Sequence, residues 1–143
     1  MPGIKQTRLE LYAMASLAIS SDEKILKHTV RYFTSWQYKD QLCICMELCR
    51  QSLRDFVQKK RAKVTGLQET DIKRALRHAC LGLKGLHSQN MVHLDIKPEN
   101  IMQGINGDFK LGDLGMARIQ SPAIEITIPE GDTRYLAREL LIE

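Results

Sequence analysis

Apolar residues recur at intervals of three and four along 7–19, TRLELYAMASLAI, with no breaker, and predict a first helix. The stretch 29–36, TVRYFTSW, is rich in β-branched and aromatic types and predicts a strand. QYKDQ follows as a polar turn, and LCICMEL at 42–48 predicts a second strand. That strand is apolar on both faces, which predicts a central place in its sheet. SLRDFVQKKR predicts a short amphipathic helix and KVTGLQE a loop. The strongest period comes next. Ile72, Ala75, Leu76, Ala79, Cys80, Leu83 and Leu86 mark one stripe of a helix over 70–87. Thr70 is the candidate cap, and Gly82 and Gly85 suggest close packing against a neighbour.

Beyond that helix lies a loop at 91–100, MVHLDIKPEN, and then a hairpin. Ile101 and Met102 form one arm, INGD the turn and FKLG the other arm. From 113 to 135 the chain reads as irregular, with Pro122 and Pro129 inside it. A loop of that length is expected to be functional or disordered. The pattern as a whole is α+β, without internal repeats or low-complexity tracts.

Composition narrows the classes. The 143 residues carry a formal net charge of +4, and no basic block or interleaved aromatic patch points to nucleic acid. No run approaches the roughly 20 apolar residues that span a bilayer, and MPGIKQTRLE does not read as a signal peptide. Cys43, Cys45, Cys49 and Cys80 form no pair of CxxC elements, so they read as reduced thiols rather than zinc ligands. That fits a nuclear or cytoplasmic setting. His28, His78 and His87 show no ligand spacing either.

The chemistry sits in MVHLDIKPEN and in KLGDLG at 110–115. Phosphoryl transfer from a nucleotide needs a carboxylate to orient the hydroxyl, a cation on the transferred group and oxygen ligands for magnesium. Asp95 suits the first task, and Lys97 suits the second if the loop is locally extended. Asn100 offers an amide oxygen and Asp113 a carboxylate, and a hairpin between them would bring both to one rim. Leu94, Ile96 and Pro98 would anchor the loop. His93 is by residue type a possible proton carrier, although a place in a motif of this kind would make it a packing and hydrogen-bonding residue.

These residues resemble the protein-kinase signatures: HLDIKPEN at 93–100, DLG at 113–115 and ARE at 137–139. Within the kinases the chain is most similar to the Wee/Myt inhibitory kinases of the cell cycle, through VRYFTSW, MELCRQSL, VHLDIKPENI, KLGDLG and above all EGDTRYLARELL at 130–141. Most kinases place threonine where Asp132 stands and proline where Arg138 stands. A kinase acting on a translation factor is compatible with VRYFTSW but not with EGDTRYLA.

The resemblance implies an incomplete two-lobe kinase fold. Residues 1–48 would be a small-lobe remnant, and 49–143 the large-lobe part with catalytic loop and activation segment. It implies that Asp95 and Lys97 are catalytic, that Asn100 and Asp113 hold Mg2+, and that Glu47 to Cys49 form a hinge whose backbone meets the adenine of ATP. Glu10 falls at the regulatory-helix glutamate and Met46 at the gatekeeper. The implied substrate is a cyclin-dependent kinase, phosphorylated on a tyrosine or adjacent threonine, with delayed mitosis as the outcome. KPEN is typical of serine/threonine kinases, so the loop does not decide the acceptor. Leu94 replaces an arginine that grips an activation-loop phosphate in many kinases. Activity is therefore expected not to require phosphorylation at Ser121, Thr127 or Thr133. Asp132 could meet Lys97 or the substrate.

Several kinase features are not found. There is no G-x-G-x-x-G, and no strand lysine to pair with Glu10. Lys5 lies too close to Glu10 to sit on a separate strand. Glu139 lacks the later arginine it would bind. The helix at 70–87 is expected to expose apolar side chains, at roughly 1.5–3 kcal/mol each. A catalytically inactive kinase-like piece or pseudokinase, working as a binding module, is the alternative reading.

Overall fold

The computed structural model describes residues 2–19, 23, 27–120 and 132–138. Helix α1, Pro2–Ala18, buries Ala13, Met14 and Leu17 on one stripe. It starts earlier than the period suggests, with Pro2 at the first helical position, where its missing N–H costs nothing.

Strands β1, Tyr32–Tyr38, and β2, Gln41–Met46, form an antiparallel hairpin against which α1 packs. Lys39 takes the positive φ (53°) that the two-residue turn between them requires. The register shifts between Tyr32 and Thr34, and the first strand begins later than expected. Residues 29–31 instead lie against the later hairpin: Val30 N donates to Leu111 O (2.8 Å) and Leu111 N to His28 O (2.9 Å). The central position expected of the second strand is not seen. Among the described residues β2 pairs only with β1, and Leu42 to Cys45 are half-buried. Its apolar run marks contact with α1 and β1 rather than burial between two strands.

The short strand β3, Gln51–Ser52, leads into helix α2, Leu53–Arg61. Ser52 caps that helix: its Oγ accepts Asp55 N–H at 3.1 Å and donates to Asp55 Oδ2 at 2.8 Å. Phe56, the buried residue of α2, meets Phe109 edge-on, with ring centroids 5.4 Å apart.

Helix α3, Glu69–Ser88, buries Ala75, Ala79, Gly82, Gly85 and Leu86. Gln68 rather than Thr70 is its N-cap, and no side-chain bond caps it; Glu69 and Asp71 in the first turn favour that end through the helix dipole. Ile72 and Leu76, which the period places on the same stripe, are exposed at its edge, in line with the apolar exposure expected of this helix. Small residues on the buried stripe allow a close approach. A Cβ on Gly82 would lie 2.5 Å from His28 O and 2.9 Å from Leu111 Cγ. The Gly82→Ala variant is therefore expected to lose about 1–3 kcal/mol of stability despite alanine's better helix propensity. Urea unfolding checks this, and an unchanged midpoint would show that the contact is not tight.

Strands β4, Met91–Val92, β5, Ile101–Gln103, β6, Phe109–Leu111, and β7, Arg118–Ile119, complete the order. The expected hairpin is β5–β6, extended by β3 to a three-stranded sheet, β3-β5-β6. Leu86, Phe109 and Leu111 are the most deeply buried side chains. Two histidines hold the Phe109 backbone: its N–H donates to His78 Nδ1 (3.0 Å), and its carbonyl lies 3.1 Å from His28 Nδ1. β4 pairs with β7, so the stretch after 113 is less irregular than its sequence suggests. A pair of two-residue strands is too short to register as a period.

Candidate active site

The loop 93–100 is pinned at its start by the β4–β7 pairing, Met91 to Ile119 and Val92 to Arg118. His93, 2 % exposed, braces it from below. Its Nε2 lies 3.0 Å from Gly112 O, and its Nδ1 accepts Asp95 N–H at 3.3 Å. Those two bonds together require a neutral ring protonated at Nε2. Burial pushes the His93 pKa below its ordinary value, in agreement. The structural role expected for His93 is what its contacts describe.

Leu94 then takes φ +64°, a conformation that costs an ordinary side chain about 1–2 kcal/mol. Asp113 does the same at +52°. Both strained residues flank the polar groups of the site, where such strain tends to be kept. Leu94 and Pro98 are half-buried, but Ile96 is 37 % exposed and does not anchor the loop. Alternation along the loop is broken by the turn at Leu94, so apolar character alone misplaces Ile96.

The turn gathers the expected polar residues. Lys97 Nζ lies 2.8 Å from Asp95 Oδ2. Asn100 Nδ2 donates to the same Oδ2 (2.7 Å) and to Asp95 O (2.9 Å). Asp95 Oδ2 is thus held by two donors, and Oδ1 has none among the described residues. The hydrogen bond that Lys97 donates to Asp95 raises the Lys97 pKa and keeps the amine charged. Because Asn100 uses its nitrogen on Asp95, its side-chain oxygen is left for a cation.

The hairpin carries Asp113 to the same rim. Gly112 N donates to Asn100 O at 2.9 Å, so Asp113 is one residue from a direct tie to Asn100. Asp113 Oδ1 accepts Gly115 N–H at 3.3 Å, which fixes its carboxylate. Behind this rim lies a cleft of about 360 Å3, walled by Val30, Met46, Cys49, Met102 and Leu111, with Glu10 and Asp113 at its polar end. The Glu10 pKa is raised by burial first and by the Asp113 charge second. No cation pairs with Glu10 among the described residues. A positive charge at this end would relieve both carboxylates.

The residues fit a nucleotide with magnesium. An apolar slot of this size suits a planar base. Asn100 and Asp113 give two oxygen ligands on one rim, and magnesium ordinarily takes the rest from phosphate and water. Among the described residues no group of three or more His, Cys, Asp or Glu side chains could hold a metal by itself. That excludes a dedicated cage there but not this shared kind of site.

Glu47 and Cys49 both line the cleft. The Glu47 side chain does something the sequence did not reveal. Its Oε2 accepts the Lys110 ammonium at 2.8 Å and the Arg31 backbone N–H at 3.2 Å, while Glu47 N donates to Arg31 O at 2.8 Å. Lys110 is 7 % exposed. The stretch before β1, the segment after β2 and the β5–β6 hairpin are thereby joined at one carboxylate. Burial, and secondarily Glu47, push the Cys49 thiol up in pKa, so it is a poor nucleophile. The signal missed was Lys110 itself, a lysine between Phe109 and Leu111 on a strand buried throughout.

On the outer side Arg134 chelates Asp132, with Nε–Oδ1 2.9 Å and Nη2–Oδ2 2.6 Å. That pairing holds the Asp132 carboxyl down to about 2. Lys97 also bears on the Asp132 charge, but Arg134 is its direct partner. Thr133 and Tyr135 are exposed. Lys5 lies within α1, not on a strand. Its side chain, Ser121, Thr127 and Glu139 lie outside the described residues.

Comparison with known proteins agrees with this geometry. The family model of the protein kinase domain matches residues 5–143. The chain is 35 % identical to Wee1-like protein kinase 1-A of Xenopus laevis, over 81 % of this chain and 23 % of that protein. It is 38 % identical to Wee1-like protein kinase 2 of Mus musculus, over 81 % of this chain and 25 % of that protein. It is 35 % identical to the mitosis inhibitor protein kinase wee1 of Schizosaccharomyces pombe, over 80 % of this chain and 13 % of that protein. The chain thus spans a quarter or less of the length of these relatives. With the Asp95–Lys97–Asn100 cluster beside Asp113 and the cleft behind it all within the matched residues, the chain belongs to the protein kinase domain family and is similar to its Wee1-like members.

Proposed function

We propose that these residues form the phosphoryl-transfer site of a Wee-type inhibitory kinase. Asp95, through Oδ1, orients the acceptor hydroxyl and takes its proton. Lys97 contacts the transferred phosphoryl group. Asn100 and Asp113 would hold magnesium, and the backbone from Glu47 to Cys49 would meet adenine. Magnesium-bound ATP supplies the phosphoryl group and neutralises the charge that develops on it. The observation that carries this reading is the double anchoring of Asp95 Oδ2 by Lys97 and Asn100, which fixes the carboxylate and leaves Oδ1 without a donor among the described residues.

The substrate proposed is a cyclin-dependent kinase, phosphorylated on a tyrosine or adjacent threonine, with mitotic entry delayed; the similarity to Wee1-like kinases and the stretch EGDTRYLARELL support it. A second reading, a binding module without turnover, is favoured by one observation: Glu10 has no cationic partner among the described residues. Incubation with labelled ATP and a purified cyclin-dependent kinase, followed by phosphoamino-acid analysis, separates the two. Phosphotyrosine or phosphothreonine supports the kinase. Labelling of unrelated proteins but not of this one would sink the substrate assignment, and no transfer to any acceptor would favour the binding module.

A further inference from the structure

Six charged side chains alternate in sign outward from Asp95. Lys97 sits on Asp95 at 2.8 Å, and its charge acts on Asp132. Arg134 chelates Asp132 at 2.6 Å and approaches Glu99 Oε1 at 3.8 Å. Arg54, in the first turn of α2, closes on the same Glu99 oxygen at 2.6 Å. The three acids and three bases cancel, but their accessibility does not.

The two outer acids, Glu99 and Asp132, are used up. Glu99 Oε1 is taken by Arg54, and Glu99 Oε2 is sealed from solvent without a hydrogen-bond partner among the described residues. A basic side chain of an incoming protein cannot reach Glu99 unless it displaces Arg54 or Arg134. Asp132 has each of its oxygens on Arg134. The guanidinium groups, by contrast, are open: the Arg134 side chain is 62 % exposed and that of Arg54 51 %. Asp132 engages Nε and Nη2 of Arg134, and among the described residues no acceptor takes the donors of Nη1. A guanidinium suits a carboxylate in particular, because its planar fork matches two oxygens.

We propose that Arg134 and Arg54 form a subsite for acidic residues. The site thereby selects hydroxyl-bearing protein segments with Asp or Glu near the acceptor, and disfavours segments with Lys or Arg there. This rests on the kinase reading above for the identity of the acceptor, but the charge preference is separable from turnover. The competing explanation is a purely internal charge network that only braces the segment 132–138 against the loop.

The test uses the protein expressed from its full coding sequence and fluorescent tyrosine or threonine peptides, identical except for Glu or Lys flanking the acceptor. Binding is read by anisotropy, and phosphate transfer is followed on the same peptides. The Glu peptides are expected to bind about five-fold tighter, the scale of a few exposed ion pairs, and the gap is expected to narrow at high salt. Arg134→Glu is expected to reverse the ratio, Arg134→Lys to retain much of it, and Arg54→Glu, placed on a different element, to reduce it. A ratio within one variant is insensitive to overall loss of activity. Equal binding of the two peptides, tighter binding of the Lys peptide, or a preference unchanged in both charge reversals would overturn the subsite. Tighter Glu-peptide binding without any phosphate transfer would contradict the kinase reading and leave the subsite standing.

Discussion

The Asp95→Asn variant is expected to transfer phosphate about 100- to 10,000-fold more slowly, the range for removal of a positioned general base. Asparagine keeps the shape of aspartate and can still accept from Lys97 or Asn100, which now share Oδ2 of Asp95. The loop should therefore keep its fold, and the thermal midpoint should change little. The loss should appear in kcat, because the hydroxyl is oriented at the step of chemistry rather than at nucleotide binding. Single-turnover transfer from labelled ATP measures it. An Asp95→Asn protein as fast as the parent would remove Asp95 from the mechanism.

The second large effect concerns stability. Glu47→Ala is expected to cost about 3 kcal/mol, the lower end for breaking a buried ion pair, since Glu47 retains some contact with water. It leaves the Lys110 ammonium, whose side chain is 9 % exposed, without the carboxylate 2.8 Å away. It also frees the Arg31 N–H. The double change Glu47→Leu with Lys110→Met should recover most of the loss, because an apolar pair of similar volume needs no desolvation of charge. Urea unfolding of Glu47→Leu, Lys110→Met and the double variant, beside Glu47→Ala, tests this. Two single-site losses that simply add in the double variant would mean that the pair is not coupled.

The second effect arises where residues distant in sequence meet, the first within a single loop, and this difference marks the boundary of what the sequence alone reveals. The helices were legible because Ala75, Ala79 and Leu86 repeat the helical period over a long span. The hairpin was legible because its turn residues are specific. Asp95, Lys97, Asn100 and Asp113 were legible because their spacing is tied to one chemistry, and the structure brings the first three into direct contact. Thr70 failed as a cap because a nearby residue type does not fix where the first helical turn begins. Ile96 failed as an anchor because the positive φ of Leu94 resets the alternation, and nothing about leucine signals such a φ.

Long-range polar pairs were invisible for a different reason. Lys110 and Glu47 are 63 residues apart, and Arg54 and Glu99 are 45 apart. Each reads alone as an ordinary surface charge. Only packing of the hairpin against the segment after β2, and of α2 against the loop, makes them partners. The close approach at Gly82 sits between these cases. A glycine in a helix suggests a neighbour, but only the fold names His28 and Leu111.

The central claim is that Asn100 and Asp113 make one rim of a magnesium–nucleotide site. Calorimetric titration of the protein with ATP, with and without magnesium, tests it most directly when paired with Asp113→Asn. The account predicts that magnesium strengthens ATP binding to the parent protein and that this gain falls about ten-fold or more in Asp113→Asn, in line with loss of a charged ligand to a hard cation. ATP binding that is indifferent to magnesium, or a magnesium gain that survives intact in Asp113→Asn, would contradict it.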